Sequence, residues 1–223
     1  MNLFHNAFGA GGNGGGGGAG SGGSAISDPN VAYIRTDGND TTGDGSPGKP
    51  FLTFQKAVDE GFQNLDFGAG SFGGATFAGL NSNIVLSIQG HRTELGNIAN
   101  YGYNTTLYVS GDVRIDSVVN SGFSEQPNGG ELTIYGSTGL VIHTILFEGS
   151  DDGEGFYGTA GYCLLVGPFE VQSTLQGGTD ATESGTVALR QGVSVPVINL
   201  VPENNIYVNL AIVDGTVYLN NYP

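Results

Sequence analysis

The sequence predicts an all-β chain built as a short parallel β-helix, closed at its N-terminal end by one helix and preceded by a glycine-rich arm. Three observations carry that prediction. A unit of two apolar-x-apolar pairs, joined by a glycine-bearing turn, recurs from Leu86 to Leu219. Glycine supplies 41 of the 223 residues, against a usual share of roughly 7%. Charged residues make up only 12%, well below the usual ~25%, which leaves little to coat long exposed helices.

The elements follow in chain order. Residues 1–27 contain the unbroken run Gly14 to Gly18 and read as a flexible arm. Only Leu3, Phe4 and Phe8 offer it an apolar anchor, so these are the candidate anchoring residues if the arm docks on a partner. The folded domain is expected over 28–223. Ala32 to Thr36 reads as a strand, and Asp37 to Gly48 as a loop dense in Gly, Asp and Asn. Pro50 then fixes the approach to a helix over about 53–64, with Thr53 as N-cap and Phe54, Ala57, Val58 and Phe62 on one face. Gly61 weakens its last turn. Residues 66–82 read as a surface loop pinned by aromatic residues, with Phe62, Phe67, Phe72 and Phe77 spaced by five.

Residues 83–223 read as the coils. Leu86/Ile88 precede Gly90; Leu107/Val109 precede Gly111 and Val113/Ile115; Leu132/Ile134 precede Gly136 and Leu140/Ile142. Leu164/Val166, Val187/Leu189 and Val208/Leu210 continue the series. The leading positions 86, 107, 132, 164, 187 and 208 recur at the intervals of solenoid repeats. Two strands per coil are expected, each coil burying its inward residues only by stacking on its neighbours. Glycine suits the corners because it adopts positive φ without a Cβ penalty. A solenoid exposes core and unpaired backbone at its ends, and the helix is placed to cover the first of them. The rival fold is an antiparallel sandwich or jelly roll, whose best signal is the hairpin turn Asp214-Gly215. A sandwich gives no reason for the two-strand unit to repeat.

Composition excludes several classes of partner. Six Lys+Arg against 21 Asp+Glu leave a net charge of −15 and a pI near 4.1. No cationic face for nucleic acid can be built from that, and an anionic membrane surface repels it. No stretch approaches the ~18 apolar residues of a membrane span, so no membrane insertion is expected. The lone Cys163 excludes an internal disulfide and, within Tyr162 to Val166, reads as a buried small hydrophobe. Met1 to Ser27 lacks the basic start and apolar core of a signal peptide, so Sec-type export is not expected.

The entry to the domain carries a family resemblance. Tyr33-Ile34-Arg35-Thr36-Asp37-Gly38-Asn39-Asp40, the Gly43 to Gly48 turn, Lys49-Pro50-Phe51-Leu52-Thr53-Phe54-Gln55-Lys56-Ala57-Val58-Asp59, and Ile84 to Glu94 with Gln89-Gly90 and Thr93-Glu94 carry it. Together they resemble the opening of pectate-lyase-like right-handed parallel β-helices: a strand, a G-x-D loop, a capping helix and a first coil. The match covers 31–95 less the stretch 66–82. Gln89 stands where that family has Pro, and His91-Arg92 where it has a small-aromatic pair. The resemblance implies a right-handed coil and leaves chemistry open, because the family includes lyases, glycoside hydrolases, phage tailspikes and fibres, and cell-surface proteins.

Candidate chemistry is sparse. Enzymes of this fold use carboxylates, and glycoside hydrolysis needs a pair about 5 to 9.5 Å apart. Asp151, Asp152 and Glu154, followed by Phe156 and Tyr157 in the longest gap between coils, are the catalytic candidates, against the simpler reading of a solvated acidic turn. Asp112, Arg114 and Asp116 share an outward face and read as a surface salt-bridge ladder. Asp37, Asn39, Asp40 and Asp44 offer oxygen ligands, which makes Ca²⁺ the one candidate ion. Their spacing fails the EF-hand pattern and suits Asx turns better. His5, His91 and His143 are isolated, so no zinc site is expected. Tyr101, Tyr103, Tyr157 and Tyr162 are candidate glycan-binding residues.

The expectation is therefore a non-enzymatic structural or receptor-binding protein of a virion, a tail fibre or tailspike-like element at the particle surface or tail. Its partners are expected to be other virion proteins, held through the arm, and a cell-surface glycan. Self-assembly into a homo-oligomer, with a trimer as one form, is expected as well. The alternatives are a polysaccharide-degrading lyase or hydrolase, and an extracellular or cell-surface adhesin.

Overall fold

Alternating apolar and polar residues put every second side chain inside, and the chain solves the burial of those residues by coiling. The computed structural model describes residues 30–78, 83–102, 104–122, 131–148, 161–177, 185–195, 198–200, 209–213 and 216–217. Along them run β1 (Val31–Ile34), α1 (Phe54–Asp59), β2 (Asn64–Phe67), β3 (Gly70–Phe72), β4 (Ala75–Ala78), β5 (Ile84–Gly102) and β6 (Thr105–Gly122). β7 (Glu131–Tyr135), β8 (Leu140–Glu148), β9 (Gly161–Val166), β10 (Glu170–Gly177) and β11 (Gly185–Arg190) follow. The last four are β12 (Ser194–Val195), β13 (Ile198–Leu200), β14 (Asn209–Val213) and β15 (Thr216–Val217).

These strands stack as three columns, and every pairing between named strands is parallel. The first column is β1, β2, the start of β5, the start of β6, β7, β9, β11 and β14. The second is β3, the middle of β5, the middle of β6, the start of β8, the start of β10, β12 and β15. The third is β4, the ends of β5, β6, β8 and β10, and β13. The chain is thus a parallel β-solenoid with three sides. Its core is a set of like-with-like rows: Leu86, Leu107, Ile134, Leu165 and Leu189 from the first column; Phe72, Leu95, Ile115, Ile142 and Val171 from the second; Ala75, Ile98, Val118, Ile145 and Leu175 from the third. All fifteen are buried.

Corners need close backbone approach. Gly111 sits at φ +85, and a Cβ there would lie 2.1 Å from the Gly90 carbonyl oxygen one coil below, so only glycine fits. At the N-terminal end, Phe51 extends the first column beyond β1: its amide donates to the Tyr33 carbonyl (2.9 Å) and its carbonyl accepts from Arg35 (2.9 Å). α1 packs on β4 and β1 and buries Phe54 and Ala57, with the Phe54 ring edge-on to Phe67 at 5.3 Å. The expected lid is therefore present, although helical geometry ends at Asp59 rather than near residue 64. Gly61, at φ +83, takes the chain out of the helix.

Three expectations are corrected. Residues 64–78, most of which fall in the 66–82 stretch read as a surface loop, form the first three-sided coil. The five-residue spacing reports that coil directly, since Phe67, Phe72 and Phe77 each fill the interior from a different side. Coils carry three strands, not two; the third side was obscured because its inward positions include Asn100 and Asn120. In β9 it is Cys163 and Leu165 that are buried, while Leu164 and Val166 are half-buried on the outer side. A continuous apolar run has no alternation, so a one-residue slip in reading reverses its faces. The rival fold fails as well: β14 pairs with β11 and β15 with β12, both in parallel, while Asp214 and Gly215 themselves lie outside the described residues.

The interior holds one polar chain. Asn100 Nδ2 donates to Thr105 Oγ1 (2.7 Å), which donates to Asn120 Oδ1 (2.7 Å), and all three residues are buried. In register, the two asparagines lie between Phe77 and Phe147.

The register makes a direct prediction for β9. Leu165→Ala opens a cavity between Ile134 and Leu189 and is expected to cost about 2–5 kcal/mol, whereas Leu164→Ala on the outer side costs about 1 kcal/mol or less. Urea unfolding of the two variants measures the difference; equal losses would mean the faces are assigned wrongly.

Candidate functional site

Where the second column bends into the third, the surface opens as a groove of about 590 Å³. Its floor is low because two corners carry no side chain. Gly74 and Gly96 let the chains meet: a Cβ on Gly74 would lie 2.0 Å from the Asn97 carbonyl oxygen, and one on Gly96 would lie 2.8 Å from the Gly74 nitrogen. Gly73 beside them faces open space, with nothing within 4 Å of an added Cβ.

Successive coils deliver the polar lining. Ser71, Glu94, Arg114 and Val141 are in register on neighbouring strands, so their outward side chains form one row. Asp116, His143 and Gln172 line the same groove from the bend. Rungs of a sheet lie about 4.8 Å apart, so Ser71, Glu94, Arg114 and Val141 follow one another at about that interval along the axis. Among the described residues the ion pairs are Arg35–Asp66 and Lys56–Glu60. The expected ladder of Asp112, Arg114 and Asp116 is therefore exposed but not ion-paired. The groove combines carboxylate acceptors (Glu94, Asp116), donors (Arg114, Gln172, Ser71) and an exposed imidazole (His143) over the apolar Leu95, Ile115 and Val141.

The residues singled out from the sequence are spread more widely. Asp151, Asp152, Glu154, Tyr103, Tyr157, His5 and the anchors Leu3, Phe4 and Phe8 lie outside the described residues, as does the side chain of Tyr101. Tyr162 is half-buried on β9, in register with Glu131. His91 is exposed in the bulge where the pairing of β5 with β6 shifts between Gly90 and Thr93. Cys163 is buried, and burial pushes its thiol pKa far up, so it is inert at ordinary pH.

Three of the four oxygen-bearing loop residues, Asn39, Asp40 and Asp44, already accept hydrogen bonds. Asn39 Oδ1 accepts the amides of Thr41 (2.8 Å) and Thr42 (2.9 Å), and Asp44 Oδ1 accepts that of Ser46 (3.0 Å). Asp40 reaches the start of α1: Oδ1 accepts the amides of Leu52 (2.8 Å) and Thr53 (3.1 Å), and Oδ2 accepts the Thr53 hydroxyl (2.7 Å). Thr53 Oγ1 in turn accepts the Lys56 amide (3.2 Å), which is the N-cap bond. Burial raises the Asp40 pKa, but the bonds from Thr53 and Leu52, with Lys56 nearby, outweigh it and hold the carboxyl below its ordinary value. No group of three or more His, Cys, Asp or Glu suited to a metal ion occurs among the described residues. No helix among them is long and apolar enough to cross a membrane.

Two features escaped sequence reading. The groove is built from Glu94, Asp116 and His143 on three coils, whose adjacency exists only once the register is known. Tyr108 and Tyr135, one rung apart on the first column, are exposed and stack with centroids 4.9 Å apart and planes 6° from parallel. Their shared outward position was legible in principle, because each follows an inward residue of an alternating run, Leu107-Tyr108-Val109 and Ile134-Tyr135.

The fold thus defines the chain as a three-sided parallel β-solenoid with a corner groove. No protein-family model matches it, and neither does any curated protein or solved structure.

Asp40 gives the loop its test. Asp40→Ala is expected to lower stability by about 1–2 kcal/mol at pH 7, through lost bonds to the cap. Because the folded pKa lies below the unfolded value, Asp40's contribution is complete above an ordinary aspartate pKa of ~3.9 and is lost as pH falls through the folded value. Wild type and variant should therefore converge in acid unfolding curves; a constant gap down to the lowest pH contradicts the assignment.

Proposed function

We propose that this chain is a non-enzymatic virion structural or receptor-binding protein, a fibre or tailspike-like element that the arm of residues 1–27 holds to the particle, and that its groove receives a cell-surface glycan. The observation that carries the reading is the groove's polar lining, to which successive rungs along the axis contribute Ser71, Glu94 and Arg114. A sugar hydroxyl both donates and accepts, and here acceptors and donors alternate: Glu94 beside Arg114, with Asp116, His143 and Gln172 across the bend. Within the groove two carboxylates, Glu94 and Asp116, face one guanidinium, Arg114, so its Asp, Glu, Lys and Arg residues together carry one net negative charge. That favours an uncharged glycan over the polyanions that a chain of net charge −15 repels. The glycine run supplies slack between a docked Leu3, Phe4 and Phe8 and the projecting solenoid.

One observation favours a second reading, a polysaccharide-degrading enzyme: Glu94 and Asp116 share the groove from adjacent coils. An acid and a base across a glycosidic bond are the minimum for such chemistry. Reducing-end and unsaturated-product assays on capsule and pectin-type polymers separate the readings, and the proposal expects both to stay flat.

The binding test uses Gly73→Gln, which adds a side chain to the groove without touching the backbone around it. On a glycan array this variant is expected to lose at least about tenfold in affinity for whatever neutral glycan the wild type retains, a loss of ~1.4 kcal/mol. Unchanged binding would remove the groove from the account. Particles lacking the protein should take up the full chain but not residues 25–223; equal uptake refutes the anchoring role of the arm.

A further inference from the structure

Register sorts the charged and imidazole side chains of the groove into two pairs. Glu94 on β5 lies opposite Arg114 on β6, outward on the second column. Asp116 on β6 and His143 on β8 are the single residues between the pairings Ile115–Ile142 and Ser117–Thr144, so they stand opposite each other at the bend. In each pair a carboxylate sits one rung below a nitrogen donor. The second pair repeats the first one rung higher, by about 4.8 Å, and is shifted from the second column to the bend.

All four side chains are exposed, and the ion pairs among the described residues lie elsewhere, at Arg35–Asp66 and Lys56–Glu60. Their polar atoms are therefore open to a ligand. Gly96 occupies the bend one coil below Asp116, and Gly73 the coil below that, so no side chain stands between an incoming sugar ring and the backbone there. Ser71 below Glu94 and Gln172 on β10, above His143, continue the polar lining at the two ends.

We propose that each pair takes two hydroxyls on neighbouring carbons of one sugar, and that the groove therefore selects neutral glycans whose successive residues keep such adjacent hydroxyls free. This rests on the reading of the groove as a glycan site and narrows its substrate class. One hydroxyl donates to the carboxylate while its neighbour accepts from the guanidinium or the imidazole N–H, so both directions of hydrogen bonding are met by one diol. The one-rung offset lets the second pair meet the next residue of the same chain. A sugar carboxylate would suit Arg114 but face Glu94 and Asp116 as like charges, and an ammonium would suit the acids but leave Arg114 unmet. Hydrogen bonds to charged groups are the stronger kind, and a ligand lacking the hydroxyl leaves its partner on the protein desolvated and unpaired. The discrimination is thus between linkages. A 1,3-linked glucan has its linkage between the free hydroxyls, whereas 1,4-linked and 1,6-linked chains keep neighbouring ones.

An array of neutral polysaccharides that includes 1,3-linked, 1,4-linked and 1,6-linked glucans, each printed intact and after mild periodate oxidation, tests this with the full chain. Periodate cleaves the bond between two hydroxyl-bearing carbons and spares the 1,3-linked chain. The wild type is expected to be retained on intact chains with adjacent hydroxyls and to bind their oxidised copies at least about tenfold more weakly, ~1.4 kcal/mol. The 1,3-linked glucan, whose rings stay closed in both forms, is expected to bind weakly in both. Arg114→Leu should lose most of the preference for intact over oxidised chains; if that variant fails to fold, Glu94→Leu reads the other half of the same pair. A wild type that binds intact and oxidised copies alike overturns the proposal, as does one that holds the 1,3-linked glucan as tightly as any other chain, or a variant that keeps the wild-type preference. Binding to no intact chain refutes the groove as a glycan site and this inference with it, whereas binding that survives oxidation refutes the inference alone.

Discussion

In-register parallel stacking is the constraint from which the rest of this molecule follows. No coil has a core of its own. The interior side chain of each rung, Leu107 for example, is buried only because Leu86 lies below it and Ile134 above, and the backbone bonds that hold the rungs together run in the same direction. Such a structure has no natural end, so its first coil must be covered by something that is not a coil. Phe51 supplies one more backbone partner and α1 lays Phe54 and Ala57 across the opening, while Asp40 and Thr53 fix where α1 begins. The loop before the helix is thus part of the lid, and its Asp40 is committed to the amides of Leu52 and Thr53 at the start of α1.

The same stacking decides what the outside can be. Each outward position repeats up the column, so a surface property is written in rows rather than in patches. One row brings Ser71, Glu94 and Arg114 to the groove; another brings Tyr108 onto Tyr135. Inside, the Asn100–Thr105–Asn120 chain shows how the solenoid admits polar groups: they sit at the turn between the third side of one coil and the first of the next, closed above and below by Phe147 and Phe77.

Much of this was legible in the sequence, and the parts that were not share a cause. The apolar pairs around Gly90, Gly111 and Gly136 announced stacked coils because glycine corners and period-two alternation are local signals. Thr53 and the stripe Phe54–Ala57–Val58 likewise announced the helix. Register is a non-local property, and wherever it mattered the reading went astray. The Cys163 to Val166 run offered no polar residue to mark its outer face, so Leu164 was taken for Leu165. Gly68, Gly70, Gly73 and Gly74 made the first coil look like a loop, although Phe67, Phe72 and Phe77 were already marking its three sides. Glu94, Asp116 and His143 are far apart in the chain and become neighbours only through the coil lengths between them. The candidate site was therefore the least legible part.

Spin-label distances across several rungs test the stacking most directly. Cys163 is buried and its thiol is inert, so a thiol-reactive label goes only to introduced cysteines. Ser87→Cys with Arg190→Cys spans four rungs of the first column, and Glu94→Cys with Ser194→Cys spans four rungs of the second. In-register coils place the backbones of both pairs about 19 Å apart, so the two double-labelled chains should give the same narrow distance near ~20 Å. Two clearly different distances, or either one beyond ~30 Å, would mean that these strands are not successive parallel rungs.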